Sequence, residues 1–141
     1  MQLGSKTFAH FEIMNLSNEL FDFYFGNDLQ LVKNESSEEN MGWFILEYIY
    51  VPRGYKIIFE HARLSFSIRV IDTEGAYTSL PKMIPEISIS SALEKDNIDV
   101  AIKLLSTELK KDDICFFITK NDKQYKKENG KLIRIKYPFM K

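Results

Sequence analysis

Few residues of this chain are of the types that bind metals or act as nucleophiles. His10, His61 and Cys115 are its only histidines and its only cysteine. A structural zinc site usually needs four such ligands, and no HxH, HExxH or CxxC spacing occurs. One thiol cannot form an internal disulfide, and Cys115 stands in an apolar run that predicts a small buried side chain. The sequence therefore predicts no metal and no cofactor, with both histidines on strand surfaces.

Motifs for nucleotide binding and covalent catalysis are missing as well. The chain has no GxGxxG, GxxxxGK[ST] or GxSxG, so neither a glycine-rich phosphate loop nor a nucleophile elbow is predicted. Glu47 and Glu60 could meet across adjacent strands and act as general acid and base. The simpler interpretation is that Glu47 pairs with a cross-strand base such as Lys56. No catalytic residue is assigned, and a small enzyme without a recognisable motif stays an alternative.

Charge is distributed unevenly along the 141 residues, although the net charge is −1. Residues 1–50 hold two basic and eight acidic residues, which gives this part a charge of −6. The segment 120–141 holds eight basic and two acidic residues, which gives it +6. Folding could bring the two parts together and neutralise both, but either one could also be a binding face.

The acidic part contains more aromatic residues than a short helix and one strand need for a core. Surplus aromatics are typical interface anchors, and an acidic surface speeds association with a basic partner. A solvated loop is the simpler alternative. The hypothesis is a partner-binding face made of five acidic residues and two aromatic anchors: Asp22, Asp28, Glu35, Glu38 and Glu39, with Tyr24 and Trp43.

The basic tail supports a second hypothesis, in which it binds nucleic acid or an acidic protein. Its candidate residues are Lys123, Lys126, Lys127 and Arg134, interleaved with aromatic side chains that could stack on unpaired bases. No RNP, KH or helix-turn-helix pattern accompanies them. Lysines also protect edge strands from aggregation, which explains the composition equally well.

These candidates are expected to lie on one α+β domain covering residues 1–141. A hydrophobic content of 45% is enough for a core. The patterns predict a mainly antiparallel sheet of about five or six strands packed by two helices. Period-two alternation and turn residues place the strands at 7–13, 43–51, 55–60, 64–72 and 114–119, with a hairpin over 124–136 that turns at Asn129-Gly130.

Two segments have helical spacing instead. Residues 16–25 predict a short helix with Ser17 as a possible N-cap and Gly26 as the residue that stops it. Residues 97–111, capped by Asp96 or Asn97, show the clearest periodicity, with five apolar residues on one face: Ile98, Ala101, Ile102, Leu105 and Leu109. The polar run 34–42 predicts an exposed loop, and the two prolines in 73–90 predict an irregular segment.

The chain lacks the apolar region of a signal peptide and any apolar run near the ~20 residues of a membrane span. We therefore expect a cytoplasmic protein without a membrane span. Its oligomeric state does not follow from the sequence.

In size, mixed architecture and acidic aromatic-rich face, the chain resembles the immunity proteins of bacterial polymorphic toxins, including contact-dependent inhibition systems. The segments ENGKLIRIK and DNIDVAIKLLSTELKK look most like such small α+β proteins. The resemblance implies a tight complex with a cognate toxin domain whose active site or essential surface is blocked. It assigns no functional residue.

Overall fold

The computed structural model describes residues 2–37, 43–62, 65–88, 90–111, 114–128 and 131–135. These residues form an eight-stranded antiparallel sheet and three α-helices. Every strand pairs with its neighbours along the chain, so the strands follow the order β1 to β8 without a crossover. The strands are β1 Leu29–Ser37, β2 Trp43–Tyr50, β3 Tyr55–Ala62, β4 Ser65–Ile71, β5 Tyr77–Ser79, β6 Phe116–Lys120, β7 Lys123–Glu128 and β8 Lys131–Arg134; the helices are α1 Gln2–Phe25, α2 Leu80–Met83 and α3 Lys95–Lys111.

The α+β class and the antiparallel sheet are confirmed, but the predicted number of strands is too low. Six predicted strands are present as β2, β3, β4, β6, β7 and β8. The two that the sequence patterns missed are β1, whose polar second half imitates a loop, and β5, which has only three residues. The predicted turn residues Asn129 and Gly130 lie outside the described residues. The two strands on either side of them, β7 and β8, do pair as an antiparallel hairpin.

The sheet has one face packed by helices, which we call the helix face. On the opposite face, the open face, the described side chains are exposed or half-buried, apart from the buried Ile58. In β4 the alternation is complete: Phe66, Ile68 and Val70 are buried, whereas the residues between them are exposed. One wet face is common in antiparallel sheets because a two-residue period separates apolar from polar side chains. Register partners on neighbouring strands share a face, so the pairing assigns the residues of the other strands to one face or the other.

The predicted strand over residues 7–13 is wrong, because these residues belong to helix α1. Ser5 to Phe25 contains neither glycine nor proline, so nothing interrupts helical hydrogen bonding over this stretch. Met14, Ser17, Phe21 and Phe25 are buried at helical spacing, which extends the predicted apolar stripe toward the N-terminus. A short alternating run is compatible with either period, and here it continues a helix whose later residues pack against the sheet.

Ser17 is therefore not an N-cap. It lies inside α1, fully buried, and its hydroxyl donates a 2.7 Å hydrogen bond to the carbonyl oxygen of Ile13. Serine satisfies its hydroxyl in this way when it occurs within a helix. The predicted loop at 34–42 is also partly wrong, because residues 34–37 continue β1; residues 38–42 lie outside the described part of the chain.

Helix α3 confirms the clearest sequence pattern. All five predicted core residues are buried: Ile98, Ala101, Ile102, Leu105 and Leu109. The helix begins at Lys95, earlier than predicted, and the Ile98 amide donates a 3.0 Å bond to the Glu94 carbonyl. Asp96 and Asn97 therefore lie within the first turn rather than before it, where Asp96 still suits the positive end of the helix dipole.

Candidate interaction surface

Asp22 is an exposed residue of α1 that lies close enough to Tyr48 of β2 for its charge to act on the tyrosine hydroxyl. Four residues earlier in the helix, Asn18 accepts a hydrogen bond from the buried Tyr48 hydroxyl. Burial raises the pKa of Tyr48 well above its usual value, and the negative charge of Asp22 raises it further. Leu31 of β1 is the register partner of Tyr48 and is 45% exposed. An exposed carboxylate and an exposed apolar side chain thus flank Tyr48.

Asp28 occupies the equivalent place beside the next tyrosine of β2. Burial raises the pKa of Tyr50, and the Asp28 charge adds to this effect. The Asp28 carbonyl accepts a 2.8 Å hydrogen bond from the amide of Val51, whose side chain is exposed. Tyr48 and Tyr50 are two residues apart on the helix face of β2, so Asp22 and Asp28 lie along one border of the sheet.

Phe23 is the most exposed large hydrophobic residue of the described part of the chain, at 77%. It lies on the side of α1 away from the core stripe and touches only the edge of Tyr24 among the ring contacts of the described residues. Together, Asp22, Phe23, Asp28, Leu31 and Val51 form what we call the acidic edge. Phe23 is not among the anchors predicted from the sequence, although its position off the stripe of Phe21 and Phe25 indicates an exposed side chain.

Tyr24 is half-buried and tied to helix α3, so its position is unlike that of Phe23. Its hydroxyl donates a 2.6 Å hydrogen bond to Asp99, which raises the Tyr24 pKa. Its carbonyl oxygen, near the helix end, accepts bonds from Ser106 at 3.1 Å and Lys110 at 3.5 Å. Carbonyls at helix ends need such partners. Tyr24 therefore joins the two helices, and as an anchor it stays a prediction.

The other predicted site residues are spread along or beyond β1. Glu35 lies opposite Ile45 on the open face and forms a 3.6 Å ion pair with Lys33. A β-bulge between Leu31 and Lys33 turns the second half of β1 over, which separates Glu35 from the acidic edge. Trp43 begins β2, but its side chain is outside the described part. Glu38 and Glu39 lie outside the described residues, so their role stays a prediction.

The basic hairpin distributes its charges over both faces of the sheet. Lys127 is on the helix face, opposite Phe116, and forms ion pairs with Asp72, at 2.8 Å, and with Glu74. Lys126 is on the open face, opposite Phe117. Lys123 and Arg134 are exposed and belong to the helix-face side of β7 and β8. The tail is therefore not one continuous basic surface in this part of the chain.

The two histidines and the cysteine lie within or beside different helices and strands. His61 is buried against Phe44, with ring centroids 4.9 Å apart, which corrects the prediction of a surface position. His10 is in α1 rather than on a strand. Cys115 is partly buried, just before β6. Among the described residues, no three His, Cys, Asp or Glu side chains are grouped closely enough to hold a metal ion.

The carboxylates considered as an acid and base pair lie on the open face. In register, Glu47 is opposite Lys33 of β1 and Ile58 of β3, so the cross-strand lysine opposite Glu47 is Lys33 rather than the predicted example Lys56. Lys56 is opposite Ile49 instead. Glu60 forms a 3.7 Å ion pair with Arg69. Both side chains of that pair are well exposed, so the pair adds little stability.

Tyr48 makes stability fall at alkaline pH. Its folded-state pKa is raised, so the unfolded chain ionises first and stability is lost as the pH rises above about 10. We expect Tyr48→Phe to flatten this decline between about pH 9.5 and 11, while costing about 1 kcal/mol at neutral pH through the lost bond to Asn18. Urea unfolding as a function of pH measures both effects. The pKa of Lys127 is also raised, so this lysine lowers stability at alkaline pH in both proteins. If the variant loses stability with rising pH as steeply as the unchanged protein does, the prediction for Tyr48 is wrong.

No protein-family model matches the chain, and no curated protein or solved structure is significantly similar to it. Within the part that the structure describes, none of the helices is both long and apolar enough to cross a membrane.

Proposed function

We propose that this protein binds another protein through the acidic edge and acts as an immunity-type protein, neutralising a toxin domain by forming a tight complex. The observation that supports the proposal is that the charges of two carboxylates, Asp22 and Asp28, act on the neighbouring tyrosines Tyr48 and Tyr50 of β2. Three large apolar side chains of the same part of the chain are exposed: Phe23, Leu31 and Val51. An aromatic anchor surrounded by charges is the typical composition of a binding surface, because burial supplies affinity and charge supplies rate and orientation.

The acidic edge best fits a partner with a basic cleft. Toxin domains that cleave nucleic acids need such clefts to hold phosphates, and carboxylates can occupy the same positions. The charge of −6 in residues 1–50 gives long-range attraction for such a partner. Phe23 would then enter an apolar pocket, since its side chain contributes little to the core of this protein.

The test measures association with a toxin domain encoded by a neighbouring gene, which the proposal requires. We expect Asp22→Lys with Asp28→Lys to slow association about tenfold at low salt and to reduce its salt dependence. Phe23→Ala should mainly speed dissociation, by about 30-fold, which corresponds to about 2 kcal/mol. Stopped-flow or surface-based kinetics at two salt concentrations separate the two effects.

Glu86→Lys is the matched control for Asp22→Lys, since Glu86 is an exposed carboxylate in the segment after α2 and should leave association nearly unchanged. Reversing Lys123 and Arg134 to Glu tests the basic tail. If the tail variant loses binding while the Asp22 and Asp28 variant keeps it, the acidic edge is the wrong face. If neighbouring genes encode metabolic enzymes and no toxin domain, the immunity proposal fails and a small enzyme becomes the better hypothesis.

A further inference from the structure

The open face carries one row of residues that crosses all eight strands. Each member is the register partner of the next, so their side chains lie side by side on one surface. The row contains two aromatic, two basic and three isoleucine side chains besides one glutamine, and runs in the order Gln30, Ile49, Lys56, Ile71, Tyr77, Phe117, Lys126 and Ile133.

The two aromatics of this row form a supported pair. Tyr77 and Phe117 are directly opposite each other on β5 and β6, and both are half-exposed. The Tyr77 hydroxyl lies 3.3 Å from the Thr119 hydroxyl and accepts a 3.0 Å hydrogen bond from Gln124 of β7. These contacts hold the tyrosine ring across the neighbouring strands and lower its pKa. We call Tyr77 and Phe117 the aromatic platform.

Basic side chains surround the platform. The Lys82 ammonium of α2 lies 5.2 Å from the centroid of the Tyr77 ring and 5.0 Å from that of Phe117. Lys126 is the register partner of Phe117 on the next strand. On the other side, Lys56 of β3 is exposed two strands away from Tyr77, beyond Ile71. Half-exposed rings bordered by cations match the two parts of a nucleotide, a flat base and a phosphate.

We propose that the aromatic platform binds single-stranded nucleic acid, with bases stacked on Tyr77 and Phe117 and phosphates bound by Lys82 and Lys126. Base stacking is stronger than the contact of an exposed lysine with a ring, so an incoming base displaces Lys82 toward the phosphates. A duplex presents its base edges rather than its base faces and could not stack there. Charge complementarity favours this occupant, and the site is separate from the acidic edge and independent of the function proposed for it.

The experiment titrates the whole protein into a labelled single-stranded oligonucleotide of about twelve nucleotides, followed by fluorescence anisotropy. We expect saturable binding that weakens with salt. Phe117→Leu keeps an apolar residue on the strand but removes the ring, and should lower affinity at least about fivefold. Lys82→Ala should lower affinity and reduce the salt slope by about one. Tyr77→Phe keeps the ring and should bind within about twofold of the unchanged protein.

Lys103→Ala is the matched control, because Lys103 is exposed on α3, on the other side of the sheet, and should leave binding unchanged. Circular dichroism checks that every variant is folded. If Phe117→Leu fails to fold, Lys82→Ala still tests the site, because it changes only an exposed side chain. The proposal is overturned by either of two results. One is no saturable binding at ~100 µM protein in low salt. The other is an equal loss for Lys82→Ala and Lys103→Ala, which shows attraction to charge without a site.

Discussion

Replacing Phe59 by alanine is expected to lower the free energy of unfolding by about 3–5 kcal/mol. Phe59 is fully buried in β3 at the centre of an aromatic cluster. Its ring packs against the rings of Phe44 at 5.8 Å, Phe66 at 5.5 Å and, edge to face, Phe21 at 5.8 Å. Alanine would leave a cavity between strand and helix that these rigid rings cannot fill. Since small domains have total stabilities of about 5–15 kcal/mol, the variant should be close to unfolding.

Urea denaturation followed by circular dichroism measures the loss. Phe23→Ala is the matched control, since it makes the same change at a position that is 77% exposed and should shift stability by no more than about 0.5 kcal/mol. Phe59→Leu, which keeps most of the apolar volume, should cost about 1–2 kcal/mol. Equal losses for Phe59→Ala and Phe23→Ala would show that Phe59 is not in the core.

Asp72→Ala is expected to have the second-largest effect, a loss of about 2–4 kcal/mol. The Asp72 side chain is 6% exposed and accepts three hydrogen bonds. One oxygen binds the backbone amides of Glu74 and Ala76, each at 2.9 Å, and shapes the turn between β4 and β5. The other binds the Lys127 ammonium at 2.8 Å. Alanine removes all three contacts and leaves the part-buried Lys127 without its less exposed partner.

The variant Asp72→Asn distinguishes the contribution of the turn hydrogen bonds from that of the ion pair with Lys127. Its amide oxygen can still accept from the two backbone amides, but its charge is gone, so we expect about half of the alanine effect. Glu74→Ala is a further comparison, because Glu74 is the exposed partner of Lys127 and should cost less than about 1 kcal/mol. Thermal unfolding of the three variants measures the order. If Glu74→Ala lowers the stability as much as Asp72→Ala does, the burial of the Asp72 side chain is not the reason for its larger effect.

The two proposed binding sites are separated in space. The acidic edge borders β1 and β2 on the helix face, whereas the aromatic platform lies on β5 and β6 on the open face. Four strand spacings from β1 to β5 correspond to about 19 Å. A toxin domain on the acidic edge therefore does not need to cover Tyr77 and Phe117, and each site can be altered without changing the other. Loss of one activity in a variant would leave the other as an internal check of folding.

The sequence by itself determined the elements whose patterns are local and strong. Alternating buried and exposed residues in β4 and helical spacing in α3 were predicted correctly, because each strand or helix must present its apolar side chains to the same core. The β7–β8 hairpin was predicted correctly from its turn residues and flanking strands. The concentration of acidic charge in residues 1–50 was equally visible, and the charges of Asp22 and Asp28 raise the pKa values of Tyr48 and Tyr50 in β2.

Only the tertiary structure decided the elements with weak or ambiguous patterns. Residues 7–13 could alternate as a strand, and they became helical in a segment where Ser17, Phe21 and Phe25 pack on the sheet. β5 is too short for a periodic signal, and its place depends on pairing with the preceding strand β4 and with β6, which lies in a distant part of the chain. Long-range pairing of this kind leaves no trace in a local window.

The same distinction applies to the candidate sites. Sequence proximity placed Glu35 with Asp22 and Asp28, but the bulge in β1 turned it to the other face, since one extra residue reverses the alternation of side chains. Tyr24 was turned toward α3 and Phe23 toward solvent by the helical rotation between neighbours. The pairing of Tyr77 with Phe117 arose only from strand register, because 39 residues of chain, including α3, lie between them.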